Sequence, residues 1–298
     1  MTAVSFENIG LSDETFGILK NYCKTELLKR GMGSVGSEVY RISVGIDSAL
    51  VNDTFHLEPE TTGVRVTGAS VCAVFHGTGY LLRHMNADGK GGFTPLDKSV
   101  TFTPKKPLRG MYFATHFGNF YHAAPIEEGF ERVVLCALRG YNELLVWFDM
   151  HHFNSMDDED AAALTDRLHD ILQYANKVGM GASLLMLANE GFASSPVSLR
   201  ARFEIENGYK RIPLGHYGCE ICPGTKEGIT EIMRERREVL SKFSDLRIDY
   251  AVLWPYDQGG CTCAECAPWG GRGYMRIVKH CRSLLREMLP NTKLILST

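Results

Sequence analysis

The sequence lacks the features that mark nucleic-acid-binding, membrane-spanning and disordered proteins. Its 298 residues carry 32 basic and 35 acidic side chains, a net charge of -3, so the basic surface of a nucleic-acid binder is missing. No apolar run approaches the roughly 18 residues that a membrane-spanning helix needs. With 44% hydrophobic residues, the chain has enough apolar material for a folded core. These properties predict a soluble globular protein that binds neither nucleic acid nor membrane.

Two targeting and binding signals are also missing. The N-terminus has no basic segment followed by an apolar stretch, so the chain is expected to be cytoplasmic unless a leader has been removed. Residues 31–36 have the glycine spacing of a dinucleotide-binding loop, but a predicted helix precedes them and a predicted strand follows. Because a dinucleotide motif needs the opposite order, the sequence disfavours nucleotide binding.

The predicted elements divide the chain into residues 1–106 and residues 107–298. The first part combines a helix near its start with segments rich in β-branched residues, which predicts a small α+β domain of antiparallel strands. The second part alternates apolar strands with amphipathic helices, which predicts a parallel sheet covered by helices.

The second part contains five strand–helix units, with strands starting near residues 111, 143, 182, 250 and 293. An eight-stranded TIM barrel takes about 250 residues, so the segment is either an open five-stranded sheet or a barrel cut off after its fifth strand. The chain ends on an apolar strand, which as a natural sheet edge would promote aggregation. We therefore expect an incomplete (β/α)8 TIM-barrel-like α/β fold, preceded by the small α+β domain.

Polar and aromatic side chains follow each of the first four predicted strands of this sheet. In both architectures the carboxyl ends of parallel strands meet at one edge, where ligands bind. We therefore predict a substrate-binding rim made of His116, Asn119, Asp149, His151, His152, Asn189, Trp254, Tyr256, Gln258 and Trp269. No Lys or Arg cluster accompanies them, which favours a carbohydrate over a phosphate ester. Taken singly, each of these residues could instead cap a turn or hold a loop.

Two carboxylates on this rim are the candidate catalytic pair. Glu190 follows an apolar strand that ends at Gly191, and Asp257 lies between aromatic residues and two glycines. Glycoside hydrolysis uses two such carboxyls: one protonates the leaving oxygen, and the other acts as nucleophile, base or orienter. The expected partner is therefore an oligosaccharide or glycoside substrate, and no cofactor is expected for catalysis.

The small domain, the Arg109-Gly110 start of the first barrel strand and the Asp257-Gln258 pair resemble the family 20 glycoside hydrolases. Similar relatives are the family 67 α-glucuronidases and the family 84 β-N-acetylglucosaminidases. In family 20 the fourth barrel strand ends in Asp-Glu, where the Asp orients the acetamido group of the substrate and the Glu is the general acid. The resemblance gives Asp257 the first role, but Gln258 cannot donate an acid proton, so the acid role falls to Glu190. The implied activity is that of a hexosaminidase or uronidase.

Five of the nine cysteines lie close together, as Cys219 and Cys222 and as the C-x-C-x-x-C motif of Cys261, Cys263 and Cys266. The three thiols of the motif and Cys222 or Cys219 could complete a tetrahedral, structural zinc site, although reduced thiols without metal are the simpler alternative. A similar pattern occurs in the family 42 β-galactosidases, where the zinc is structural.

Two other functions remain open. One is a metal-dependent hydrolase that uses His116, His151 and His152 with Asp257. The other is a degenerate, non-catalytic carbohydrate-binding module, which Gln258 favours because it replaces a carboxyl by an amide.

Overall fold

The computed structural model describes residues 2–32, 38–87, 93–94, 96–203, 218–256 and 259–297. Its strands are β1 (Thr2–Asn8), β2 (Glu38–Ile46), β3 (Phe55–Glu60), β4 (Gly63–Gly68), β5 (Asn86–Ala87), β6 (Phe93–Thr94), β7 (Val100–Phe102), β8 (Gly110–Tyr112), β9 (Glu143–Trp147), β10 (Gly181–Leu187), β11 (Ile248–Trp254) and β12 (Lys293–Leu296). Its α-helices are α1 (Asp13–Lys29), α2 (Val71–His84), α3 (Phe120–Ala123), α4 (Ile126–Leu138), α5 (Glu159–Lys177), α6 (Lys226–Ser241) and α7 (Met275–Met288). Helix α1 and strand β2 flank the glycine-rich segment in the predicted order, and residues 33–36 of that segment lie outside the described residues.

The N-terminal strands form a five-stranded sheet in the order β1-β2-β4-β3-β7. Strand β2 pairs in parallel with β1 and β4, whereas β3 pairs antiparallel with β4 and β7. The prediction of antiparallel strands is therefore wrong for the pairs that involve β2. For β1 and β2 the reason is helix α1, which connects them and returns the chain to the same end of the sheet, as a parallel pair requires. For β2 and β4 the reason is β3, which comes between them in the chain and runs antiparallel to β4.

Helix α2 packs on this sheet and on helix α4, and it can do so closely because two of its residues are glycines. A Cβ atom added at Gly77 would lie 3.1 Å from the Phe55 side chain, and one added at Gly79 would lie 1.9 Å from the carbonyl oxygen of Leu138. Ser70 caps the N-terminus of the helix, because its hydroxyl accepts a hydrogen bond from the backbone N–H of Ala73 at 3.1 Å.

The second sheet contains β8 to β12 in chain order. Strand β11 pairs in parallel with β10 and β12, and helices connect the strands. The prediction of a parallel sheet built from successive strand–helix units is confirmed. Over the described residues the sheet stays open, with β8 and β12 at its edges, and does not close into a barrel. Strand β8, the first strand of this sheet, contains only Gly110–Tyr112 and is largely exposed, unlike the apolar strand predicted to start near residue 111.

The chain divides into two compact units. One contains Met1–Met111, Pro125–Leu144 and Gln173–Gly181, and the other contains Tyr112–Ala124, Leu145–Leu172 and Ala182–Thr298. Separate domains at residues 1–106 and 107–298 stay a prediction. Within the described part of the chain, no helix has the length and apolar character needed to cross a membrane.

We expect Gly79→Ala to destabilise the protein by about 3 kcal/mol in the free energy of unfolding, because the added methyl group would force helices α2 and α4 apart. Urea titration followed by circular dichroism measures this change. The matched control is Gly17→Ala in helix α1, where an added Cβ atom meets nothing within 4 Å. Alanine's higher helix propensity should make the control neutral or stabilising by up to about 1 kcal/mol. Equal effects in the two variants would contradict the close packing at Gly79.

Candidate active site at the carboxyl ends of the second sheet

The carboxyl ends of β9 and β10 bring two buried carboxylates together with two histidines. Glu190, which follows β10, is 1% exposed, and its Oε1 atom lies 2.7 Å from Nδ1 of His151. Its Oε2 atom accepts a hydrogen bond from the indole Nε1 of Trp147 at 3.3 Å. The sequence predicts that this carboxyl projects into the rim, whereas in the structure it lies beneath the Trp147 and His151 rings.

The buried setting changes the acidity of Glu190. Burial disfavours the charged carboxylate and raises the pKa of Glu190 from the ordinary value of 4.5 to about 7. The positive charge of Arg236 and the hydrogen bonds from Trp147 and the backbone N–H of His151 act in the opposite direction. Burial also lowers the pKa of the His151 imidazole to about 4. At neutral pH the His151 ring is therefore neutral, and Glu190 is poised between its two protonation states.

Asp149 and His152 form a second carboxylate–histidine pair beside the first. Asp149 is fully buried, and its Oδ2 atom lies 2.7 Å from Nδ1 of His152, whose side chain is 43% exposed. Burial raises the pKa of Asp149, with a contribution from the negative charge of Glu190, while the charge of His152 opposes the rise. The other carboxylate oxygen, Oδ1, has no hydrogen-bond partner among the described residues.

Aromatic rings surround the two pairs. The ring of His116 lies 4.9 Å from Trp147 and 4.5 Å from Phe117, measured between centroids, and its Nε2 atom lies 2.9 Å from the Tyr112 hydroxyl. Phe117 is 53% exposed and lies 5.4 Å from the ring of His152. We call His116, Phe117, Trp147, Asp149, His151, His152 and Glu190 the rim site.

Two aromatic residues near the strand ends adopt left-handed backbone conformations. Phe117 has φ of 54° and Tyr256 has φ of 76°. A bulky side chain at positive φ costs roughly 1–3 kcal/mol, and such residues cluster at functional sites. Sequence reasoning missed Phe117 as a site residue, since no sequence signal marks a left-handed phenylalanine.

The remaining predicted rim residues have varied surroundings. Asn189 is buried, and its side-chain amide donates to the carbonyl oxygens of Ile221 and Gly260, at 2.9 Å each, so it ties together two loops. Trp269 donates from Nε1 to the Pro255 carbonyl oxygen at 2.8 Å. Asn119 is exposed and directly precedes helix α3. Trp254 is half-buried, and the buried Tyr256 packs with Trp147. Asp257 and Gln258 lie outside the described residues.

Four cysteines lie close together in the loops that follow β10 and β11. The sulfur of Cys222 lies 3.6 Å from that of Cys261, 3.7 Å from that of Cys263 and 3.8 Å from that of Cys266. All four sulfurs lie within 4.8 Å of one another. Cys219 is not in this group, and its thiol faces the carbonyl oxygen of His151 at 3.8 Å. We call the four cysteines the thiol cluster.

Several solved structures with a similar fold are described as glycoside hydrolases. The chain superposes on a family 20 exo-β-N-acetylglucosaminidase from Vibrio harveyi with a TM-score of 0.66 and 13% identity, over 99% of this chain and 50% of that one. For the family 20 β-N-acetylhexosaminidase of Streptomyces coelicolor A3(2) the TM-score is 0.64 and the identity is 14%. The match covers 99% of this chain and 61% of that one. For a family 138 enzyme that targets the pectin rhamnogalacturonan II the TM-score is 0.61 and the identity is 13%. This match covers 98% of this chain and 38% of that one.

These comparisons confirm the predicted fold: the chain has a family 20-like fold whose solved neighbours are TIM-barrel enzymes. It spans about half the length of the first of them. No protein-family model matches the sequence, and no curated protein matches it either. At 12–15% identity the likeness shows the fold alone.

The raised pKa of Glu190 predicts a specific pH dependence of stability. Below pH 4.5 the carboxyl is protonated in the folded and the unfolded chain, and its stabilising contribution is complete; this contribution is lost as the pH rises to about 7. The free energy of unfolding of the parent minus that of Glu190→Gln should therefore decrease as the pH rises from 4.5 to about 7, and it should stay constant above that pH. Urea titrations at a series of pH values measure it, with Glu131→Gln as the exposed control. A difference independent of pH would contradict the raised pKa.

Proposed function

We propose that the protein is a glycoside hydrolase that acts on a glycan containing a hexosaminide or a uronide. The observation that carries the proposal is Glu190, a carboxyl at the carboxyl end of β10 with a pKa of about 7. A general acid works best when its pKa is near the operating pH, and glycosidases raise the pKa of one carboxyl by burial for this purpose. The fold supports the same conclusion, and a family 20 neighbour from Vibrio harveyi is a complex with N-acetylglucosamine.

A buried acid needs a route to its substrate, and His151 provides one in this proposal. When Glu190 is protonated, it donates to Nδ1 of the neutral imidazole, whose own proton is then on Nε2. Release of the Nε2 proton, with transfer of the Glu190 proton to Nδ1, moves one proton across the ring. Nε2 is itself buried, so the proposal requires the substrate to displace a neighbouring rim side chain before the leaving oxygen can take this proton. The imidazole is neutral before and after this step, which fits its lowered pKa.

Asp257 takes the role of the second carboxylate in the proposed reaction. It follows Tyr256 directly in the sequence, and Tyr256 has the left-handed backbone conformation described above. Asp257 would act as nucleophile or base, or would orient an acetamido group, while Gln258 would bind the sugar through its amide.

The exposed rings of the rim site would form the sugar-binding surface. Phe117 and the half-buried His116 present aromatic surface beside the exposed His152, and an aromatic face can pack against the C–H groups of a sugar ring. The buried Trp147 does not share this role, because its indole lies in the core and its N–H is bonded to Glu190.

The proposal predicts that Glu190→Gln lowers kcat by several orders of magnitude on aryl N-acetylglucosaminides or aryl glucuronides while the affinity for the sugar changes little. The amide keeps the shape of the side chain but cannot supply a proton. Asp257→Asn should weaken both kcat and affinity. A panel of aryl glycosides, with product release followed by absorbance, measures kcat and KM.

Glu235→Gln is the matched control for this experiment. Glu235 is also a buried carboxyl with a raised pKa, but it accepts hydrogen bonds from Ser195 and from the backbone N–H of Phe192, neither of which is a rim-site residue. Its replacement should lower stability and leave the kcat of the folded enzyme near the parental value. A Glu190→Gln variant as active as the parent would remove Glu190 from the mechanism. Sugar binding without turnover in the parent would favour the non-catalytic module.

One observation favours a second candidate function, a metal-dependent hydrolase. Ligand atoms of Asp149, His151 and His152 lie within 4.8 Å of one another, a spacing that suits a shared cation. A metal-dependent hydrolase should hydrolyse ester or amide substrates. This activity should be lost in the Asp149→Asn variant and when a chelator is added to the parent protein. It should return to the chelator-treated parent when a divalent cation is added back. The glycosidase proposal predicts no turnover of those substrates.

A further inference from the structure

The spacing of the four sulfurs in the thiol cluster matches that of a tetrahedral metal site. Zinc–thiolate bonds are about 2.3 Å long, so the sulfurs of a regular tetrahedron around zinc are about 3.8 Å apart. The sulfur of Cys222 lies 3.6, 3.7 and 3.8 Å from the other three. A disulfide would require a separation of about 2.05 Å, so no pair within the cluster is oxidised.

The backbone around the cluster favours charged sulfurs. The N–H of Gly224 points to the sulfur of Cys222, and the N–H of Arg202 points to the sulfur of Cys261, each at 3.4 Å. Such N–H groups stabilise a thiolate, and they recur around metal-bound cysteines because they orient the ligand and offset its charge.

Gly224 leaves the space that the sulfurs need. A Cβ atom added at this position would lie 3.2 Å from the sulfur of Cys222 and 3.3 Å from that of Cys266. A larger residue would press on two of the four sulfurs, so a glycine here keeps the cluster compact.

The cluster joins segments that are distant in the sequence. Cys222 donates its backbone N–H to the Leu199 carbonyl oxygen at 2.8 Å. Thr262 donates its backbone N–H to the Arg202 carbonyl oxygen at 2.9 Å. The loop that carries Cys261 also contains Gly260, whose carbonyl oxygen accepts a hydrogen bond from Asn189, the residue before Glu190 of the rim site. An ion bound to the cluster would therefore fix the loop that follows β11.

We propose that Cys222, Cys261, Cys263 and Cys266 bind one structural zinc ion as four thiolates. Neighbouring thiolates repel one another until a cation neutralises them, and zinc prefers tetrahedral sulfur coordination. Four thiolates leave no open coordination position, so this ion does not activate water. The ion instead fastens the loop after β11 to the segment that leads into α6, whether or not the rim site is a glycosidase.

Metal analysis of the purified chain, expressed with zinc in the medium, should find about one zinc per chain. Cobalt substituted for zinc should give the intense visible bands of a tetrahedral cobalt–thiolate centre. Cys263→Ser should lose the zinc and these bands. Cys219→Ser is the matched control, because its thiol lies outside the cluster, and it should keep both.

A thiol titration of the parent protein keeps the test decisive if Cys263→Ser fails to fold. A mercurial reagent should release one zinc as the four clustered thiols react, and a colorimetric chelator detects the released ion. The absence of stoichiometric metal in the parent, after incubation with zinc under reducing conditions, would overturn the proposal. Iron in place of zinc, or loss of the ion in Cys219→Ser, would also overturn it.

Discussion

The contact between Glu190 and His151 is the interaction on which the rest of the rim site depends. Removing a carboxylate from water is costly unless hydrogen bonds or a counter-charge replace its hydration. Glu190 meets this requirement with the His151 ring, the Trp147 indole and the nearby positive charge of Arg236. Each of these groups must stay in place for the carboxyl to stay buried, and the carboxyl in turn holds them.

This requirement extends into the second sheet. Trp147 is the last residue of β9 and Glu190 follows the end of β10, so their hydrogen bond demands that the two strands end side by side. Arg236 projects from α6 and donates from Nη2 to the Leu187 carbonyl oxygen at the end of β10, which fixes that helix against the same strand. The polar contacts of the rim site and the packing of the sheet are therefore one set of constraints.

The sequence predicted the parallel sheet because each of its helices is amphipathic and most of its strands are nearly continuous apolar runs, as in β10, where six of seven residues are buried. It does not predict the parallel pairs of β2, because strand pairing depends on the path of the chain and the predicted elements do not include β1. The thiol cluster was predictable in outline, since cysteine spacing is a direct signal. The sequence alone does not decide between Cys222 and Cys219 as the fourth member, because that depends on how the loop after β10 folds.

The rim site shows a different limit of sequence reasoning. Position at a strand end predicts that Glu190 is near the rim, but not which way its side chain turns. That direction depends on Trp147 and His151, which come from a neighbouring strand and offer hydrogen-bond donors in the core. Phe117 depends likewise on a backbone angle that local sequence disfavours.

The closeness of the two carboxylate–histidine pairs has a consequence for how they exchange protons. Because the charge on Glu190 raises the pKa of Asp149, ionising one carboxyl makes ionising the other harder. The Asp149 carboxyl is therefore easier to ionise while Glu190 keeps its proton. Loss of the proton from Glu190 thus makes Asp149 hold its own proton more tightly, which limits the negative charge that is buried beneath the rim.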